Sequence, residues 1–366
     1  MKTAFITDTH LGARGGSQVF REYFGWFYTE IFFPKLKELG ITELVHLGDF
    51  FDNRNYVSLK DIAFVNDVFL PLLEKYNINM RIIAGNHDLA FKNTNAVTSL
   101  SIMEHSDRVE LFKDEVVEFT LGDQRFAFVP WINNNNYDEF MESLNSIEDK
   151  KDVIVLGHFE IKGFLMYRTS SRCEHGLDQS IFKEFKSVWS GHFHHASKVG
   201  NIEYLGALFE YNWQDYGDPR GFWVYDSDKD EKEFIENEYN LFNVIEYTDK
   251  LADSWSVDDI LTNVNNQFIK IIINDEYDKV KFMDFYSKVN SSKPLDVQVE
   301  NKYIISSYSN TTDGDAVDEV EIEGETIESY VENYIDATIN EDKRASIKSK
   351  METILKEANE MMVKGE

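Results

Sequence analysis

Five short motifs, each placed where an apolar run stops, constrain this chain more than any other feature. In order they are Asp8-x-His10, Gly48-Asp49-x-x-Asp52, Gly85-Asn86-His87-Asp88, Gly157-His158 and Gly191-His192-x-His194. The runs that lead into them, at 2–7, 43–47, 81–84, 153–156 and 188–190, read as strands. Several are continuously apolar, as strands covered on both faces are. Amphipathic stretches at 18–39, ending at Gly40, and at 59–76 read as helices, and further strands are expected near 125–129, 203–205 and 222–225. Strands alternating with helices make an α/β fold, and in open α/β sheets ligands collect at the carboxyl ends of strands.

The residue types at these ends define a chemistry. Imidazole, carboxylate and one amide oxygen, without thiolate, suit Mn, Fe or Zn rather than a soft-metal or iron–sulfur site. Seven side chains, Asp8, His10, Asp49, Asn86, His158, His192 and His194, suffice for two ions only if one ligand is shared. A carboxylate can hold one ion on each oxygen, which makes Asp49 the natural bridge. The remaining histidines read differently. His46 lies within a strand and is expected in the core, and His105 is expected at the surface. His195 is expected to face substrate or solvent. His175 falls with Arg168, Arg172 and Cys173 in a loop that either contacts phosphates or is simply solvated.

Charge bears on the substrate. The chain carries 37 Lys and Arg against 66 Asp and Glu, a net −29, whereas most stand-alone DNA binders are basic. The acidity is concentrated late: residues 1–200 hold 21 basic and 28 acidic side chains, residues 201–366 hold 16 and 38. Bound cations would offset the carboxylates of the first part, and weak basicity implies help from a partner in holding DNA. The single cysteine, Cys173, forms no internal disulfide, and Asp8 and His10 interrupt the start too early for a secretory signal. No run approaches the ~18 apolar residues of a membrane helix. A cytoplasmic protein is expected.

After about residue 240 the texture changes. Strands at 268–273 and 295–299 around a helix at 276–289 form a small α+β module without a ligand cluster. Residues 311–325 are acidic and turn-rich and read as a linker. Two helical segments fill 326–366, and in the last Ile347, Met351, Ile354, Leu355, Ala358, Met361 and Met362 share one face.

The order of the five motifs resembles the calcineurin-like metallophosphoesterase superfamily over roughly residues 1–225. The resemblance implies a sandwich of β-sheets flanked by helices. It puts Asp8, His10, Asp49 and His194 on a first metal and Asp49, Asn86, His158 and His192 on a second. His87 would lie beside the phosphate without ligating, as a catalytic acid oriented by Asp52. Such a pair of cations brings the pKa of water towards neutrality and stabilises charge on phosphate oxygens.

Within the superfamily, "GDFFDNR" is similar to the bacterial and phage SbcD-like DNA-repair nucleases; eukaryotic and archaeal relatives usually have histidine where this chain has Asp52. The segment "GALFEYNWQDYGDPRGFWVYD" (206–226) resembles the stretch by which these nucleases close their catalytic domain. "VPWINNN" (129–135) and the overall size look most like the phage recombination nuclease subunit. The resemblance implies domains at 1–240 (nuclease) and 241–310 (capping), then the linker at 311–325 and a helical tail at 326–366 that docks on an SMC-like, SbcC-type ATPase. It also implies two divalent ions, Mn2+ first with Mg2+, Fe2+ or Zn2+ as options, and exonuclease action on duplex ends with endonuclease action on single strands. A homodimer is a further option. Trp131, Tyr137, Tyr167 and Trp213 could stack on unpaired bases or serve the core. The competing reading is a phosphatase or small-molecule phosphodiesterase on the same scaffold.

Overall fold

The computed structural model of the protein describes residues 1–303 together with Arg344, Lys348 and Lys350. The expected linker at 311–325 and the apolar face from Ile347 to Met362 lie outside the described residues. Two compact units divide the chain, Met1–Asn240 and a second beginning at Leu241.

The strands of the first unit are, in chain order, β1 (Lys2–Ile6), β2 (Glu43–His46), β3 (Asn79–Ile83), β4 (Leu89–Phe91), β5 (Thr94–Thr98), β6 (Val109–Phe112) and β7 (Val117–Leu121). They continue as β8 (Gln124–Val129), β9 (Val153–His158), β10 (Ser187–Gly191), β11 (Ser197–Val199), β12 (Ile202–Tyr204), β13 (Gly221–Asp226) and β14 (Glu231–Glu236). Two six-stranded sheets result, β14-β13-β1-β2-β3-β6 and β11-β12-β10-β9-β8-β7, and β4 and β5 form a separate hairpin. Four adjacent strands of each sheet run parallel: β1, β2, β3 and β6 in one, β8, β9, β10 and β12 in the other. Parallel pairing lines up the strand ends, with Ile6 opposite His46 and His158 opposite Gly191. The motif residues therefore leave each sheet along a single edge.

Phe5, Val45 and Ile83 from one sheet and Phe126, Leu156 and Trp189 from the other are buried in one cluster, so the sheets form a sandwich. Helices cover the outside. Residues 18–38 and 59–76 are helical throughout, but each run contains a widened turn, at Tyr28–Phe32 and Val65–Phe69. Pro34 and Pro71 lie two residues beyond the last residue of these turns. A proline has no N–H for the carbonyl four residues back, and a wider turn is the local adjustment. The apolar face is unusually aromatic: Phe24, Phe27, Phe32, Phe33 and Phe69 are almost fully buried, and the Phe24 ring stacks on Phe209 at 4.5 Å. On the far sheet, Phe140 and Leu144 of the helix Tyr137–Ser146 cover Val155 and Val188.

The second unit is a three-stranded parallel sheet, β15 (Phe242–Tyr247), β16 (Phe268–Ile273) and β17 (Asp296–Asn301), in that order. Its helices include Val257–Val264, started by a Ser256–Asp259 capping box, and Lys279–Ser291, capped by Asp278. Ile269 and Ile271 pack with Ile260, Phe282 and Phe285. Among the described residues no helix is long and apolar enough to cross a membrane.

Phe24 has almost no exposure and large buried aromatic-to-alanine changes leave a cavity. Phe24→Ala is expected to destabilise the first unit by about 3–5 kcal/mol. A urea titration followed by tryptophan fluorescence checks this through the transition midpoint.

Candidate metal centre

Each expected ligand sits within a few residues of a strand end, and the two sheets bring them together. Asp8, His10 and His194 offer ligand atoms within 4.8 Å of one another, and so do Asp49, His158 and His192. Asp49 also groups with His10 and His87. His158 Nε2 stands 3.2 Å from Asp49 Oδ2 and 3.2 Å from Asn86 Oδ1, which adds the amide to the second group. Asp49 is therefore common to both sides of the cluster. Proximity does not separate His87 from the other imidazoles.

Four of these residues hold a backbone that side chains rarely adopt. Asp8, His10, Asp49 and His192 have φ of 51°, 43°, 55° and 89°. Asp and His tolerate this region better than most residues, but each such conformation still costs about 1–3 kcal/mol. The main chain is bent out of strand geometry to aim these side chains. Two glycines make room for it. A Cβ on Gly48 would stand 2.7 Å from His158 Nδ1, and one on Gly85 would collide with the Asp49 amide nitrogen.

Main-chain groups orient the ring nitrogens. His158 Nδ1 lies 2.7 Å from the Leu47 carbonyl oxygen, so Nδ1 carries a proton and donates to it, which turns Nε2 toward the cluster as the nitrogen a cation would take in place of its proton. His87 Nδ1 likewise lies 2.5 Å from the Asp52 carbonyl oxygen, leaving its Nε2 as the other ring nitrogen, and its amide donates to Asp49 Oδ1 at 2.8 Å. The contact from Asp52 to His87 thus runs through the main-chain carbonyl of Asp52. The Asp52 carboxylate turns instead to His10, with Oδ1 3.4 Å from Nδ1. Asp8 receives the His192 amide on both oxygens at 3.1 Å.

The electrostatics suit cations. Burial disfavours charge on Asp49, yet His158, His87 and His10 hold its carboxyl well below the usual value. Burial likewise lowers His158, but Asp49 and Asp8 pull it up to about 9. His192, desolvated and beside His158, falls to about 3. His10 Nε2 and His194 Nε2 face each other at 3.1 Å, where at most one proton can serve both nitrogens. Buried carboxylates with inward-facing imidazole nitrogens are a donor set that divalent cations satisfy directly.

A supporting layer was not singled out in the sequence. Asp88, the last residue of the third motif, accepts the amides of Asp49, Gly85 and Phe51 at 2.8–3.0 Å. Burial and the nearby Asp49 raise its carboxyl to about 7 against those donors. Behind His194, Asp215 Oδ1 stands 3.7 Å from Nδ1 and accepts Arg220 at 2.7 Å. Arg220 is fully buried and also donates to the His194 carbonyl. Asp218 pairs with Arg220 and His195. The Tyr211 hydroxyl donates to the Asp8 carbonyl at 2.6 Å. Asp215, Asp218, Arg220 and Tyr211 all belong to the segment 206–226, and its charged residues amid aromatics are the signal for a buried ion pair. His46 is enclosed: it accepts from the Gly48 amide on Nδ1 and meets the Thr9 hydroxyl through Nε2. His105 and His175 are exposed.

Partners that orient a metal-binding imidazole typically change affinity 10–100-fold when removed. Asp215→Asn is expected to weaken Mn2+ binding by about that factor, read by isothermal titration of the metal-free chain. Unchanged affinity would remove Asp215 from the supporting layer.

Residues 1–220 match the family model described as calcineurin-like phosphoesterase. Among curated proteins, exonuclease subunit 1 of Enterobacteria phage T4 is 30% identical over 307 residues, covering 82% of each chain. The DNA double-strand break repair protein Mre11 of Sulfurisphaera tokodaii is 27% identical over 197 residues, 52% of this chain and 48% of that protein. The SbcD component of the SbcCD nuclease of Staphylococcus saprophyticus is 22% identical over 246 residues, 61% of this chain and 64% of that protein. The family match thus spans more than half of the chain, the strand-end motifs fall inside it, and the sandwich carries them to one cluster. The chain belongs to the calcineurin-like phosphoesterase family.

Proposed function

We propose that the chain is a DNA phosphodiesterase that works with two divalent ions, manganese first among them, as the nuclease subunit of a complex with an SMC-like ATPase. One observation carries the reading: ligand groups from five strand ends meet, with Asp49 shared between them. The names of the relatives, an exonuclease subunit, a break-repair protein and a nuclease subunit, favour DNA over other phosphoesters.

Asp8, His10, Asp49 and His194 would hold one ion, and Asp49, Asn86, His158 and His192 the other. Such a pair supplies Lewis-acid stabilisation of phosphoryl oxygens and water activated at neutral pH. The chain's own contribution is orientation and proton delivery. Leu47 fixes the tautomer of His158. The Asp52 carbonyl accepts from His87 Nδ1 and leaves Nε2 to carry a second proton. That proton passes from Nε2 to the leaving alkoxide oxygen, the general-acid role. Asp52 acts here through its main chain, and through its carboxylate on His10.

In this reading residues 1–240 form the nuclease domain and 241–310 the capping domain, with the linker at 311–325 and the tail at 326–366 reaching the ATPase. The protein acts in the cytoplasm, where DNA and that partner are available. Duplex ends and single strands are the substrates.

His87→Ala is expected to keep both manganese ions and lose about a hundredfold to ten-thousandfold in rate. Metal content and turnover on labelled DNA, measured on the same sample, check this; near-normal turnover removes the acid role. The wild-type chain should also cleave bis-p-nitrophenyl phosphate faster than the monoester, and the reverse order would assign the phosphatase reading. Removing residues 341–366 should abolish co-purification with the ATPase while manganese-dependent cleavage of short substrates persists.

A further inference from the structure

A cleft of about 340 Å3 opens beside the metal centre, walled by Trp131, Asn134, Tyr137, Glu160 and Leu177 and reaching His158. Trp131 and Tyr137, read in the sequence as stacking on bases or serving the core, both line it. It is built on the loop that follows β8, the "VPWINNN" stretch. Three buried or half-buried asparagines hold that loop. Asn95 and Asn136 donate to the Trp131 carbonyl at 2.9 and 3.1 Å, and Asn133 donates to Asn95 at 3.0 Å. The Trp131 amide donates to the Ala84 carbonyl, two residues before Asn86. Trp131 is thus clamped from both sides of its backbone while its ring stays partly exposed. The ring centroid lies 5.2 Å from His192 and 5.9 Å from His158. A flat aromatic surface has been fixed one group's width from the second half of the metal cluster.

The proposed reaction requires a nucleoside on each side of the attacked phosphate. The net charge of −29 denies this chain the phosphate attraction that most DNA-binding proteins rely on. Base stacking on an aromatic side chain supplies affinity without charge and without sequence preference. At about 340 Å3 the cleft falls within the range of small-molecule pockets, room for one nucleoside. Asn134 and Glu160 add an amide and a carboxylate that can meet the polar edge of a base.

We infer that this cleft binds one unpaired nucleoside adjoining the scissile phosphate, stacked on Trp131. The inference rests on the phosphodiesterase reading and adds a condition to it: a duplex end must part its terminal pair before it is cut. The fixed ring selects for single-stranded geometry at the point of cleavage.

Two substrates separate this role from general support of the site. The p-nitrophenyl ester of thymidine 5′-monophosphate carries a nucleoside, and methyl p-nitrophenyl phosphate does not. With Mn2+, Trp131→Ala is expected to lower the ratio of kcat/KM for the nucleoside ester over the methyl ester about tenfold, the size of one base–aromatic stack. Trp131→Phe should restore most of the ratio, and Tyr137→Ala, at an exposed helix start, should lower it less. A ratio unchanged in all three variants overturns the inference, since equal losses on both esters mean that Trp131 only supports His158 and His192. Binding is read independently by saturation-transfer NMR of thymidine on the metal-free full-length chain. Transfer to the base protons that Trp131→Ala abolishes supports the cleft, and transfer that persists overturns it. Failure of the wild-type chain to cleave either ester would sink the phosphodiesterase reading, and the NMR result would then decide the cleft alone.

Discussion

The Asp49 carboxylate joins two sheets that no strand pairing connects. It leaves the end of β2, meets His158 from β9 at 3.2 Å and takes the His87 amide on its other oxygen. The Leu47 carbonyl, two residues earlier, holds the far side of the same His158 ring. A buried carboxylate in such a place is costly unless positive groups surround it. The surrounding imidazoles meet part of that need, and divalent cations would meet the rest. Much of the local geometry follows: glycines at 48 and 85 that permit the approach, and left-handed backbone at Asp8, His10, Asp49 and His192 that aims the ligands.

This concentration of strain and charge has a structural counterweight. The outer helices bury a continuous aromatic layer, and Tyr211, whose hydroxyl holds the Asp8 carbonyl, packs edge-on against His10 at 5.2 Å. Arg220, Asp215 and Asp218 form a fully enclosed ion cluster behind His194. Removing one member would strand a charge in the interior, so these residues tie the stability of the unit to the shape of the centre.

Much of this was legible in the chain. The motif residues could be placed because candidate ligand side chains follow apolar strands abruptly, and the contrast is local in sequence. The helices at 18–38 and 59–76 announced themselves by their apolar spacing, whereas their widened turns were not read from the sequence. Edge strands were harder. β14, with the sequence EKEFIE, and β7, with VEFTL, alternate polar and apolar residues because one face is solvated, so no continuous apolar run marks them. The supporting layer was hardest. A carbonyl such as that of Leu47 or Asp52 has no side-chain signature at all, and Asp215 and Arg220 meet His194 only after the chain folds back.

The pairing of β13 with β1 sets an order of events during synthesis. β1 leads into Asp8 and emerges first, but its antiparallel neighbour at Gly221–Asp226 and the Arg220 cluster emerge some two hundred residues later. A nascent chain therefore holds most of its candidate ligands long before it can arrange them. On this topology the arrangement of the candidate ligands is completed late, when the closing strand slots in beside the first.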